Sequence, residues 1–191
     1  MGFRREPSAE KVRCPYEILR CKPATPLDGV VVSSDWVGAD LHWWSGKSVL
    51  HSERECAACD AGNAYRWYGY FLGVPNGVRV VSIFEFTSRC FAQVSAYYEE
   101  FGSLRGAPFR LRRLGKQTNA PLSIAFSESR IPPSSLPEEK PLEPILARLW
   151  ERNYVRSLEQ TAAKNEPPLT NRLTEAEQVR FKMANDNGRH E

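Results

Sequence analysis

Apolar positions along this chain first come as short alternating runs bounded by turn residues, and later as a helical stripe. Residues 27–32 are strand-like, with Val30, Val31 and Val32 favouring extended backbone. Residues 35–44 continue as strand and turn, and Ser45-Gly46-Lys47 reads as a turn before a short extended piece at 49–51. An aromatic-rich strand is expected over 65–72. Pro75-Asn76-Gly77 reads as a hairpin turn, and 78–86 as the return strand. Thr87 is then placed as the N-cap of a helix with Cys90, Val94, Tyr97, Tyr98 and Phe101 on one apolar face, and Gly102 as its stop. Two further strands are expected over 108–114 and 121–126, joined by a polar loop at 115–120. The pattern predicts a mainly β, α+β body: a small, partly open five-stranded barrel with one helix.

The flanks read differently. Residues 1–24 form a lead-in arm and 25–127 the body. Prolines at 132, 133 and 137 forbid a helix interior, so 128–141 is a linker. The 142–191 segment is a C-terminal helical tail. Its first helix runs over about 142–164, with Leu142, Ile145, Leu146 and Leu149 as an apolar stripe that Trp150, Tyr154 and Leu158 extend. Thr174-Glu175-Ala176-Glu177 resembles the capping box of a short last helix.

Composition narrows the class. The chain has 191 residues, 41% of them hydrophobic, enough for a real core. A net charge of +3 does not by itself mark a nucleic-acid binder; the distribution of charge matters more than the sum. No apolar run approaches the length of a membrane helix, and the charged start lacks the apolar stretch of a secretory signal. A cytoplasmic, reducing location without membrane attachment is expected. There the five cysteines are free to bind metal, and Cys14 and Cys21 read as incidental thiols.

His42, His51, Cys56 and Cys59 carry the clearest chemistry. The order His-x8-His-x4-Cys-x2-Cys supplies two nitrogen and two sulfur donors, a set that suits a closed, structural Zn2+ site. Cys56 and Cys59 would sit on a knuckle that Gly62 helps to complete. The competing reading keeps His42 as a packed or capping side chain and the cysteines as core, with Cys90 as a rival ligand. Glu53 and Glu55 lie close enough in sequence to leave a metal-dependent hydrolase open. A deaminase is discounted, because no proline precedes Cys56-x2-Cys59 and the cysteines follow His51 too soon.

Charge is patterned as well. No acidic residue occurs from Phe101 to Ser127, a span that holds Arg105, Arg110, Arg112, Arg113 and Lys116. Arg110 and Arg112 alternate around Leu111, so both fall on one face of a strand. On the aromatic strand Arg66, Tyr68 and Tyr70 share a side and could form a stacking platform for bases. The competing reading makes these aromatics core and the arginines solvated edge residues.

The set of Leu27-Asp28-Gly29-Val30, His42-Trp43, the Cys-x2-Cys knuckle, Tyr65-Arg66-Trp67, a Thr-capped helix, Leu104-Arg105-Gly106 and Pro121-Leu122-Ser123-Ile124 resembles uncharacterised bacterial and mobile-element proteins with a zinc knuckle in a small β-barrel. The element order is also similar to that of OB-fold single-strand binders. That resemblance implies an OB-like barrel with Tyr68, Tyr70, Arg110 and Arg112 at its ligand face. The expected function is a nucleic-acid-binding module, single-stranded DNA or RNA favoured, of low sequence specificity, with no catalytic residues. The second expectation is a regulatory, inhibitor or assembly protein that meets a larger complex through Leu146, Trp150 and Tyr154.

Overall fold

A computed structural model describes residues 16–165, with side chains described to residue 161. Cys14 and the capping box at 174–177 lie outside the described residues. Among those described, the fold is mainly β: an eight-stranded open sheet, curled into a small barrel-like body, with a few helices that include a C-terminal one.

Three strands make a meander. These are β2 (Leu27–Val31), β5 (Tyr65–Pro75) and β6 (Ser82–Thr87). A 3-10 turn at Ser88–Cys90 and helix α2 (Phe91–Phe101) follow, then the hairpin of β7 (Pro108–Arg113) and β8 (Leu122–Phe126). Strand β7 pairs with β2, so the order across the barrel is β6-β5-β2-β7-β8. A short β1 (Ile18–Leu19) adds to β6 in parallel. The long connection between β2 and β5 carries its own hairpin, β3 (Val37–Trp44) and β4 (Lys47–Leu50), and the four-residue helix α1 (Ala57–Asp60). Strand β3 pairs with the first half of β5, whereas β2 pairs with its last residues. That hairpin therefore extends the sheet beyond the barrel.

Local chemistry explains the elements. Ser45 and Gly46 have φ of 49° and 74°, the positive pair that a two-residue hairpin needs to match strand twist. Gly102 caps α2 at φ 67°, and its N–H reaches the Tyr98 carbonyl at 2.7 Å. Thr87 precedes the 3-10 turn in extended conformation, but its side chain makes no capping bond. The expected return strand begins later than its apolar residues suggest. Val78 and Val80 are exposed, and β6 starts at Ser82.

Two cores lie on the two faces of β5. Inside the barrel, Phe71, Phe84 and Phe109 pack with Val31, Leu111, Ile124 and residues of α2. Gly69 leaves room for the Phe86 ring, since a Cβ there would meet it at 2.2 Å. On the outer face, Tyr70, Leu72 and Ile83 are covered by helix α3 (Leu142–Asn165) through Leu142, Leu146, Leu149 and Trp150. Helix α3 also covers the free edge of β4: Asn153 Nδ2 donates to the Ser48 carbonyl at 2.9 Å, and Ser157 Oγ to that of Trp44 at 3.1 Å. Burying an open edge in this way removes a template for unwanted strand pairing.

This arrangement corrects two expectations. Tyr70 is fully buried and Tyr68 half-buried, so β5 presents no open platform of these two tyrosines. Leu146 and Trp150 are taken up by the chain's own sheet, and Tyr154 lies partly exposed against Trp44. The 128–141 linker is also held. Arg105 donates to the carbonyls of Val32 and of Pro137, the latter at 2.8 Å, and Glu139 accepts from the Ser34 hydroxyl at 2.7 Å.

Leu146 is fully buried at the centre of the α3 contact. We expect Leu146→Ala to cost about 2–4 kcal/mol of stability, measured by urea unfolding. A loss near zero would mean that α3 does not pack on the sheet.

Candidate metal centre and basic surface

The donor residues come from three successive pieces of chain. His42 is near the end of β3, where strand alternation turns it to the same side as Trp44. His51 directly follows β4, and its N–H donates to the Asp40 carbonyl at 2.8 Å. Cys56 is the N-cap of α1, and Cys59 lies in that single helical turn. The turn closes with Gly62 N–H on the Cys59 carbonyl at 2.8 Å and Asn63 N–H on that of Ala58 at 2.9 Å. Ala58, fully buried against Trp44 and Val49, seats the knuckle on the hairpin.

The four donor atoms all lie within 4.8 Å of one another, so this cluster could hold a metal ion. His42 Nε2 is 3.0 Å from His51 Nδ1 and 3.1 Å from Cys56 Sγ. Cys59 Sγ is 3.6 Å from each imidazole nitrogen. Around an ion with bonds of about 2.0–2.3 Å, tetrahedral donors stand about 3.3–3.8 Å apart; the separations here, from 3.0 Å to at most 4.8 Å, bracket that range, so the four donors could close on one shared centre. All four corners would be filled by protein.

The surroundings prepare the donors. His42 Nδ1 donates to the Asn63 carbonyl at 2.8 Å, which leaves Nε2 with its lone pair toward the cluster. The Tyr65 ring stacks on His51 at 3.9 Å between centroids and 10° between planes. Burial works to raise the Cys56 thiol, but backbone hydrogen bonds at Ser52 and Cys59 and the side chains of His51 and Cys59 outweigh it and lower it to about 6. That lowering favours the Cys56 thiolate, the form that binds metal. Cys59 shifts the other way, first through desolvation and then through the neighbouring Cys56 and Asp60. Neither cysteine is in a disulfide.

Sequence order carries no sign of the Asn63 backbone carbonyl that orients His42, because a main-chain acceptor leaves no residue-type signal. Cys90 is not a rival ligand, because it is fully buried in the barrel core. Glu53 and Glu55 are exposed on the loop between His51 and Cys56.

The basic residues have separate fates. Arg110 and Arg112 project from the outer face of β7, with Phe109 and Leu111 buried between them. Arg110 forms a two-point pair with Asp28 at 2.7 and 2.9 Å, so its charge is largely matched within the chain. That pairing, led by the hydrogen bond from Arg110, holds the Asp28 carboxyl below its ordinary range. The Arg105 guanidinium is committed to the backbone carbonyls of Val32, Pro133 and Pro137. Arg66, Arg112 and Lys116 are exposed.

No protein-family model, curated protein or solved structure matches this chain.

We expect one tightly held metal ion per chain by mass spectrometry of the metal. Removing it with a chelator, or replacing Cys56 and Cys59 together by serine, should cost at least about 3 kcal/mol and lower Tm by about 6–12 °C. An unchanged Tm after complete metal removal would show that the hairpin does not depend on the ion.

Proposed function

We propose that this chain is a nucleic-acid-binding module, stapled by a structural zinc ion, that holds single-stranded DNA or RNA with low sequence specificity. The observation that carries the reading is the strand order β6-β5-β2-β7-β8 with α2 between β6 and β7. In an OB barrel three strands form a meander, a helix can follow the third, and two strands close, the fourth beside the first. With β2, β5, β6, β7 and β8 as its five strands, the order here is the same.

The equivalence gives the loops a role. OB barrels hold ligands with the face of strands two and three and with the loops after strands one and four. Here the first of those loops is the β3–β4 hairpin with its metal cluster. The second is the 114–121 loop, which carries Lys116 beside Arg112 on β7. The face of β5 and β6 is largely covered by α3, so contacts fall to the loops and to Arg66 at the start of β5. Such contacts go to phosphates, which position a strand without reading its sequence. Zinc is proposed from the donors: two imidazoles and two thiolates suit it better than the oxygen-seeking Mg2+ or Ca2+.

A second reading, a regulatory or assembly protein, draws on Tyr154, Val155 and Leu158, which are exposed apolar residues on the C-terminal half of α3.

Binding of fluorescent single strands, followed by anisotropy over about 50–300 mM salt, tests the first reading. Three phosphate contacts predict a slope of log K on log salt of about −2, and Lys116→Ala with Arg112→Ala should remove about 1.4 of it. No binding at low salt, or a flat salt response, overturns it and favours the second.

A further inference from the structure

Two consecutive tryptophans end β3, and strand alternation sends them to opposite faces. Trp44 is buried with Val49 and Ala58 behind the metal cluster. Trp43 is 54% exposed, an unusual place for so large an apolar ring. Register puts Trp43 on the same face as Arg66 and Tyr68, because Leu41 pairs with Arg66 and Ala39 with Tyr68. This is the face that α3 covers over Tyr70, Leu72 and Ile83.

The ring is not simply abandoned to solvent. The Arg20 guanidinium carbon lies 4.5 Å from its centroid. Arg20 is held from behind by Glu85, with Nε 3.5 Å from Oε1. Glu85 in turn accepts a hydrogen bond from the buried Tyr70 hydroxyl at 3.0 Å. The buried face under α3 thus fixes an arginine over an exposed indole.

Helix α3 carries charge as well. Arg148, Arg152 and Arg156 recur every four residues. Helical spacing places them on the flank away from Tyr154, which meets Trp44.

We propose that Trp43, with Arg20 laid over it and Arg66 beside it, is a base-stacking site for single-stranded nucleic acid. A flat base stacks on the indole, and its flanking phosphates meet Arg20 and Arg66. The pairing of a π surface with fixed cations fits a polymer of bases and phosphates, and stacking of this kind tolerates any base. This inference rests on the nucleic-acid reading above and moves its aromatic contact from Tyr68 and Tyr70 to Trp43.

The test compares an oligo(dT) strand with an abasic strand of equal length, using the full chain with its metal. Wild type should bind oligo(dT) more tightly, and Trp43→Ala should weaken that binding by about 5- to 100-fold while leaving the abasic strand unaffected. Trp43→Phe should recover most of the loss. Equal oligo(dT) affinity for wild type and Trp43→Ala overturns the stacking site and leaves the nucleic-acid reading standing. Failure of wild type to bind either strand at low salt overturns both. If Trp43→Ala does not fold, photocrosslinking of an iodouracil strand to wild type decides: an adduct on Trp43 is expected, and adducts only elsewhere overturn the site.

Discussion

The rest of the structure hangs on four side chains meeting at one point. Between β2 and β5 the chain leaves the barrel, forms a hairpin and returns through a knuckle. Leu41, Val37 and Ala39 tie the first part of β3 into the core under α3, but the far end of that excursion buries only Trp44, Val49 and Ala58, too few to fix it by burial alone. The cluster of His42, His51, Cys56 and Cys59 joins the end of β3, the exit of β4 and the turn of α1. A metal ion there would supply the rigidity that the core does not. The position of α3 depends on the same hairpin, because Asn153 and Ser157 are anchored on carbonyls of Ser48 and Trp44.

Helix α3 then decides which surface is left. It closes the outer face of β5 and β6, so the face that an OB-type barrel would offer to a ligand is mostly filled from within the chain. Tyr70 becomes a buried tyrosine whose hydroxyl holds Glu85, and Glu85 holds Arg20. What stays open is the margin: Trp43 and Arg66 on one side, Arg112 and Lys116 on the other. No helix among the described residues is long and apolar enough to cross a membrane.

Much of this was legible in the sequence wherever the deciding interaction is local. The donor spacing, the Ser45-Gly46 turn, the Gly102 stop and the alternation of Phe109, Arg110, Leu111 and Arg112 each depend on neighbours in the chain. The covering of β5 was not legible. A strand buried on both faces shows no alternation, and the helix that covers Tyr70 begins only at Leu142. The internal pairing of Arg105 and Arg110 was hidden for the same reason. Their partners, Pro137 and Asp28, are distant in sequence, and a charged residue does not reveal whether its charge is already matched. Trp43 and Trp44 look alike in the sequence, and only the sheet distinguishes the packed ring from the open one.

X-ray absorption on the purified full chain tests the central claim most directly. It should show a zinc edge and a first shell of two nitrogens at about 2.0–2.1 Å and two sulfurs at about 2.3 Å. A shell of oxygens, a single sulfur, or no bound metal in protein prepared without chelator would contradict the account.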